Sequence, residues 1–507
     1  MNKVLQLSVI IFFHVIFATF LPVLRAAERQ KPNIIIIYAD DLGYGDLGAY
    51  GGTAIPTPNI DKLAREGIMF TRGYASSATC TPSRYALITG TYPWRNKKAH
   101  ILPGSAPLII DTSVVTLPKM LKTKGYYTGI VGKWHLGLGN GNINWNKHIA
   151  PGPNEIGFDY SFILAATQDR VPTVYIENGN IVNLDPQDPI EVNYRKKFPG
   201  EITGKEHPEL LKMMYDFGHN GTIVNGISRI GHQKGGEKAW WIDEKMADVF
   251  LTKAKSFIMQ HKNKPFFLYY ALQQPHVPRT PNPRFVGKTK LGPRGDVIAE
   301  ADWCVGELML TLEKEGLLEN TLIFFSSDNG PVLNDGYKDG AVEKNNGHKP
   351  WGPFRGGKYS LYEAGTRLPF ITFWKGHIKP KTCNAMVSQI DILNSLAAFT
   401  KSNLKSKDGV NLINTFLGKS NKSRKNMIIE ASGRTAYRKG YWVMIPPHKG
   451  AAITYWENIE TGNSPEYQLF CLKTDPGQKE NLAEKNPKKL KRMIKDYEKI
   501  IGKVQTK

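Results

Sequence analysis

With 507 residues, 41% of them hydrophobic and 22% charged, the chain is long enough for one large domain and a smaller one, and its composition excludes extended disorder. Lys and Arg number 67 against 45 Asp and Glu, a formal net charge of +22 that suits an acidic partner. No paired CxxC motif or basic-region heptad array accompanies that charge, so the sequence points away from nucleic acid and toward a sulfated or carboxylated polymer, or to solubility alone.

Met1-Asn2-Lys3 precedes an apolar run over residues 4–24, followed by Arg25-Ala26-Ala27. This reads as a secretory signal peptide, 1–27, cleaved near Ala26 or Ala27, in preference to an uncleaved membrane anchor. The expectation is export through the secretion machinery to the periplasm or the medium. Residues 33–38 then form an isoleucine-rich run suited to a strand buried on both faces of a parallel sheet. It empties into Ala39-Asp40-Asp41-Leu42-Gly43. Helical periodicity follows over 59–66.

Cys80-Thr81-Pro82-Ser83-Arg84 opens a second helical stretch that stops at Gly90. Pro82 suits the first helical position and Gly90 the C-terminal cap. Cys80 then sits at a helix N-terminus, where free N–H groups favour an anion. Arg84, about one turn on, can turn back toward the same spot. A buried structural cysteine fits the same local pattern. After a helix over 115–124, the segment Gly129-Ile130-Val131-Gly132-Lys133-Trp134-His135-Leu136-Gly137 reads as extended, and alternation puts Lys133 and His135 on one face. A cation beside an imidazole is what an anionic reaction centre needs, although each residue also suits a structural role.

Residues 149–241 are rich in Gly, Pro, Asn and charge, and read as a loop-rich insertion above the sheet. Gln168, Asp169, Arg170, His219, Asn220, Arg229 and His232 are its candidate ligand contacts, against the alternative of solvated loop residues. A helix over 244–260 leads to an apolar run at 266–272, which delivers Gln273-Gln274-Pro275-His276. A helix over 297–315 leads to a third run at 322–326, which delivers Ser327-Asp328-Asn329-Gly330. Asn334, Asp335 and His348 follow in the next loop as further candidate contacts. Gly356-Gly357-Lys358 allows close backbone approach to an anion but lacks P-loop spacing.

A helix over 390–400 precedes a lysine-rich stretch at 402–424 that reads as a linker. Strands near 427–430 and 441–445, with a last helix at 487–501, suggest a small antiparallel sheet. The whole predicts an α/β fold: a doubly wound, mostly parallel sheet flanked by helices over 31–402, and a smaller α+β subdomain over 425–507. In such sheets ligands bind at the C-terminal strand ends. Asp40, Asp41, Asp328 and Asn329 are hard oxygen donors at those ends, suited to Ca²⁺ or Mg²⁺ and not to zinc, though each motif alone is also turn chemistry. With Cys80 set aside for chemistry, Cys304, Cys383 and Cys471 leave room for at most one disulfide.

Jointly these motifs resemble the type I sulfatases, formylglycine-dependent enzymes of the alkaline phosphatase-like superfamily. Cys80-Thr81-Pro82-Ser83-Arg84 matches Cys-X-Pro-X-Arg, and Asp40-Asp41, Gly132-Lys133-Trp134-His135, Pro275-His276, Ser327-Asp328-Asn329-Gly330 and Gly356-Gly357-Lys358 follow in the family's order. The resemblance covers roughly 31–400, with a familiar ending near Leu472-Lys473-Thr474-Asp475-Pro476-Gly477. It departs at Cys471, where the family more often carries Asp.

The resemblance implies that a maturation enzyme oxidises Cys80 to formylglycine. One hydroxyl of the hydrated aldehyde attacks sulfur, and the second later expels sulfate. It implies that Asp40, Asp41, Asp328, Asn329 and modified Cys80 bind Ca²⁺, in preference to Mg²⁺. Arg84 would stabilise the formylglycine, Lys133 and Lys358 would hold sulfate oxygens, His135 would take the elimination proton, and His276 would protonate the leaving oxygen. The expected substrate is a sulfated polysaccharide or its oligosaccharides, of ulvan, carrageenan or glycosaminoglycan type. The alternatives are a phosphoesterase of the same superfamily and a non-catalytic binder of sulfated glycans.

Overall fold

Residues 33–39 are a strand because seven apolar or neutral side chains in a row can be buried on both faces at once. In the computed structural model, which describes residues 31–502, this strand, β1 (Asn33–Ala39), is buried throughout. The signal peptide read at 1–27 lies outside the described residues. Ile34, Ile36 and Tyr38 enter one apolar core, and Ile35, Ile37 and Ala39 enter another on the opposite face. The alternation of a strand thus feeds two layers, which is why the sequence run is continuous and not alternating.

The remaining strands, in chain order, are β2 (Ile68–Tyr74), β3 (Tyr127–Lys133), β4 (Tyr160–Leu164), β5 (Ile176–Glu177), β6 (Asn180–Ile181), β7 (Glu191–Asn193), β8 (Ile223–Val224), β9 (Ile227–Ser228), β10 (His232–Lys234), β11 (Phe266–Ala271), β12 (Thr321–Ser327), β13 (Arg367–Leu368), β14 (Phe370–Phe373), β15 (Lys381–Ser388), β16 (Asn426–Ala431), β17 (Arg434–Lys439), β18 (Trp442–Ile445) and β19 (Gln468–Cys471). Eleven of them form one sheet in the order β13-β2-β14-β12-β1-β11-β3-β4-β5-β6, with β15 beside β2. Its centre, β12-β1-β11-β3-β4, is parallel. Helices Leu117–Lys122 and Ile392–Phe399 cover one face, and Pro58–Glu66, Met246–His261 and Pro293–Lys314 cover the other. Among the described residues no helix is long and apolar enough to cross a membrane.

Three expectations change. The insertion is not wholly above the sheet: β4, β5 and β6 lie within 149–241 and extend the sheet beyond β3, and only the β7–β10 and β8–β9 pairs stand apart. Pairing with β3 made this stretch a strand, a long-range cause that weak local periodicity does not show. The stretch at 402–424 is no free linker. Leu412 and Phe416 are buried in the core, and Arg424 pairs with Asp391 in the interior. The Cys80–Thr89 helix begins at Cys80, so Pro82 is its third residue, while Gly90 caps it with φ 59°.

The C-terminal unit is a four-stranded antiparallel sheet, β16-β17-β18-β19. One face packs on Tyr74, Ala78 and Leu361, and the other carries Met493 and Tyr497 of the helix Pro487–Ile501. Its edge strand β16 bonds the segment just before Cys80, with Ala78 N donating to Glu430 O at 2.8 Å and Glu430 N to Ser76 O at 2.9 Å. All four cysteines are free thiols.

Candidate active site

β1, β3, β11 and β12 are neighbours running the same way, so the residues just past each strand meet at one edge. Backbone bonds tie those ends together: Asp40 N donates to Gln274 O at 3.0 Å, and Asp328 N to Ala39 O at 3.1 Å. Gly132 makes the approach of β3 to β11 feasible. Its φ is +115°, and a Cβ there would lie 1.8 Å from Ala271 O. Gly330, just after Asn329, similarly lies against Ala364 O, where a Cβ would sit at 1.8 Å.

Each acid at this edge meets a buried cation. Lys133 Nζ donates to both oxygens of Asp40 at 2.7 and 2.6 Å. Arg84 Nε and Nη2 donate to Asp328 Oδ2 at 2.9 and 2.7 Å. Lys358 Nζ donates to Asp41 Oδ2 and to Asp335 Oδ2, each at 2.8 Å. Asn329 Nδ2 donates to Asp41 Oδ1 at 2.6 Å, and Asp41 N to Asp328 Oδ1 at 3.1 Å. Burial would raise the Asp328 carboxyl, but Arg84 and Lys133 overcome it and hold it at about 2. Burial raises Asp40 well above its ordinary value, with Lys133 opposing. Burial works against the Lys358 ammonium, yet Asp335 and Asp41 carry it well above its ordinary value, so it stays charged.

The donor set fits a hard divalent cation. Asp40, Asp41 and His276 bring ligand atoms within 4.8 Å of one another, and Asp328 and Asn329 touch Asp41 directly. Asn329 Oδ1 is buried without a hydrogen-bond partner, an orphaned acceptor of the kind such a cation satisfies.

Cys80 is buried at the N-terminus of its helix, and burial raises its thiol while Lys133 and Lys358 act to lower it. It lines a cavity of about 170 Å³ together with His276, Lys358, Asp335, Asp169, Arg170 and His219. His276 Nδ1 meets Val277 O at 2.7 Å, which leaves Nε2 facing Asp41 and Asp335, each 3.9 Å away. His135 reaches the site by a route other than strand alternation. β3 ends at Lys133, and His135 takes φ +57° in a left-handed turn. Its Nε2 meets Leu102 O at 2.9 Å, and its buried Nδ1 has no partner. Burial depresses both imidazoles well below their ordinary value, aided by Lys133 and Arg170 at His135 and by Lys358 and Lys133 at His276. Both are therefore neutral at pH 7.

The candidate contacts separate clearly. Asp169, Arg170 and His219 form a chain at the cavity wall, with Arg170 Nη1 at 2.8 Å and His219 Nε2 at 2.9 Å from Asp169. Asp335 lines the same cavity and is bound to Lys358. Gln168 and Arg229 instead hold Asp243, His232 meets Glu201, and His348 meets Asp46. Asn220 does not line the cavity, and Asn334 bonds Asp216 beside it. Sequence reasoning missed Tyr359, whose hydroxyl donates to Asp335 at 3.1 Å, and the wall residues Phe217 and Glu457. Adjacency to Lys358 could have flagged Tyr359. Glu457 lies near no motif, and nothing local marks it.

A family model described as sulfatase matches residues 32–402. The chain belongs to the sulfatase family. It is 52% identical over 485 residues to an N-acetylgalactosamine-6-O-sulfatase of Bacteroides thetaiotaomicron, covering 95% of this chain and 94% of that protein. Human arylsulfatase A is 32% identical over 476 residues, covering 90% and 84%. A solved sulfatase structure from work on glycosaminoglycan metabolism by Bacteroides thetaiotaomicron superposes with a TM-score of 0.92 at 52% identity, covering 93% of this chain and 99% of that one. The mixed, mostly parallel sheet with its small C-terminal antiparallel sheet is thus a sulfatase fold, on which that solved structure superposes. As a sulfatase, this protein hydrolyses sulfate esters, and members of the family generally work with formylglycine and a divalent metal.

Proposed function

We propose that this sulfatase removes 6-O-sulfate from N-acetylgalactosamine units of glycosaminoglycan fragments, using a formylglycine made from Cys80 by a maturation enzyme. The 52% identity across 95% of the chain supports the substrate. One observation carries the chemistry: Cys80 opens into a cavity lined by the Lys358–Asp335 pair and the neutral His276, with the Lys133–Asp40 pair buried at the same strand edge. The signal-like segment at 1–27 supports export to the periplasm or beyond.

Asp40, Asp41, Asp328 and Asn329, with modified Cys80, would hold Ca²⁺, which supplies Lewis-acid stabilisation of negative charge there. Formylglycine supplies a hydrated aldehyde as the nucleophile. Lys358, held charged by Asp335 and Asp41, and Lys133, paired with Asp40, would oppose charge on the sulfuryl oxygens. Arg84, anchored on Asp328, fixes the helix start that carries residue 80. His135 Nδ1, neutral and unpartnered, accepts a proton. His276 Nε2 stands beside Lys358 and Asp335, in reach of a leaving alcohol; burial first, with Lys358 and Lys133 after it, keeps it neutral, and an incoming sulfate anion opposes those two cations.

The tests are direct. The residue-80 peptide of active protein should weigh about 18 Da less than its thiol form, and fully active protein carrying only the thiol overturns the mechanism. Sulfate release across a panel of defined sulfated sugars should favour 6-O-sulfated N-acetylgalactosamine. A chelator should abolish turnover and lower Tm, with Ca²⁺ restoring both.

A further inference from the structure

A second, larger cavity of about 670 Å³ adjoins the catalytic one. Its size lies in the ordinary range for a ligand site. The two share Glu457 in their walls, and Asn334 of the larger cavity is the chain neighbour of Asp335 in the smaller. Trp351, Phe354 and Trp456 give it an aromatic lining. Trp456 is 48% exposed and yet held in place: its indole stacks on Phe217 of the catalytic cavity at 5.0 Å and 14°, and its carbonyl accepts from Asn334 Nδ2 at 3.3 Å. An aromatic pair therefore bridges the two cavities.

The charges in the lining also discriminate. Arg355 is spent on Glu460, with Nε to Oε2 at 2.7 Å, and on the carbonyl of Gln478. Lys479 adds a further cation to the wall, and Glu457 an acid at the end shared with the catalytic cavity. Rigid aromatic faces suit the C–H face of a sugar ring, and a single ammonium suits one carboxylate better than a cluster of sulfates. Resting on the substrate reading above, we propose that this second cavity is a glycan subsite for the sugar linked to the sulfated one. Trp456 and Trp351 are its ring platforms, and Lys479 receives a uronic acid carboxylate. The catalytic cavity of about 170 Å³ then takes the reacting sugar alone.

The experiment compares sulfate release from 6-O-sulfated N-acetylgalactosamine and from a tetrasaccharide in which that sugar alternates with uronic acid. Wild type should favour the tetrasaccharide in kcat/KM by about ten-fold, mostly through KM, a magnitude appropriate to aromatic stacking. Trp456→Ala and Trp351→Ala should each collapse that ratio, and Trp456→Phe should restore part of it. A ratio unchanged in both alanine variants overturns the subsite. If wild type desulfates neither compound, the substrate reading fails by itself. Calorimetric titration of the desulfated tetrasaccharide then decides the subsite: binding weakened by Trp456→Ala upholds it, and equal or absent binding overturns it.

Discussion

At the floor of the active site, Asp40, Asp41 and Asp328 stand one or two residues beyond strands of a parallel sheet, each against a buried cation. At its rim, Phe217 and Glu457 stand on loops from distant parts of the chain, outside any buried ion pair among the described residues. The floor couples chemistry to folding, because removing either member of a buried ion pair strands the other. The rim is coupled to folding more weakly, so its residues are free to set which sugar is accepted without remaking the sheet.

Substitutions can break or sharpen that contrast. The largest effect belongs to Cys80→Ala, which should reduce sulfate release by at least about 10⁴-fold while leaving glycan binding intact, as expected when a nucleophile is deleted. A non-catalytic binder would instead keep its full biological effect. Lys133→Met should destabilise the chelated protein by about 3–5 kcal/mol in urea denaturation, since Asp40 is left buried without its partner. A shift under 1 kcal/mol would mean that the floor is not held by its ion pairs.

Glu300 gives the contrast a pH dependence. It lies under the strand end that carries His276, accepting from Gln274 Nε2 at 3.2 Å and Asn282 N at 3.1 Å. Burial raises its carboxyl from 4.5 to about 7. The folded state thus holds a proton that the unfolded chain releases earlier. The stabilising contribution is complete below about pH 4 and is lost as pH rises through 7. Glu300→Gln should retain it throughout, and be more stable than wild type at pH 8 by about 2–3 kcal/mol, with no advantage at pH 4. Parallel stability–pH curves for the two proteins would refute this. The smallest effect is expected at the rim. Glu457→Gln should move Tm by less than about 2 °C, within the range of substitutions outside the core, while altering kcat/KM for sulfated sugars several-fold.

The floor was legible in the sequence for a physical reason. An isoleucine-rich run that must be buried on both faces also fixes where its next residues emerge, so Asp40-Asp41 and Asp328-Asn329 could be assigned to one sheet edge before any contact was known. The Cys80 motif carried its own helix start and its Gly90 stop. His135 was assigned to the site by the wrong geometry, because alternation assumes a strand that in fact ends at Lys133. Gln168, Arg229 and His348 looked like ligand contacts because polar residues in loops do, yet their partners Asp243 and Asp46 turn them inward.

By itself, then, the sequence determined the layered α/β architecture, the edge that carries the acids, the helix that presents Cys80 and the membership of a sulfatase family. Each follows from local chemistry: apolar runs, caps and motif spacing. Only the tertiary structure decided that β4 to β6 extend the sheet, that 402–424 packs into the core, that Asp335 shares Lys358 with Asp41, and that Glu457 closes a cavity more than 370 positions away from Cys80 in the chain. Those choices depend on which surfaces meet after folding, and no residue's near neighbours record them.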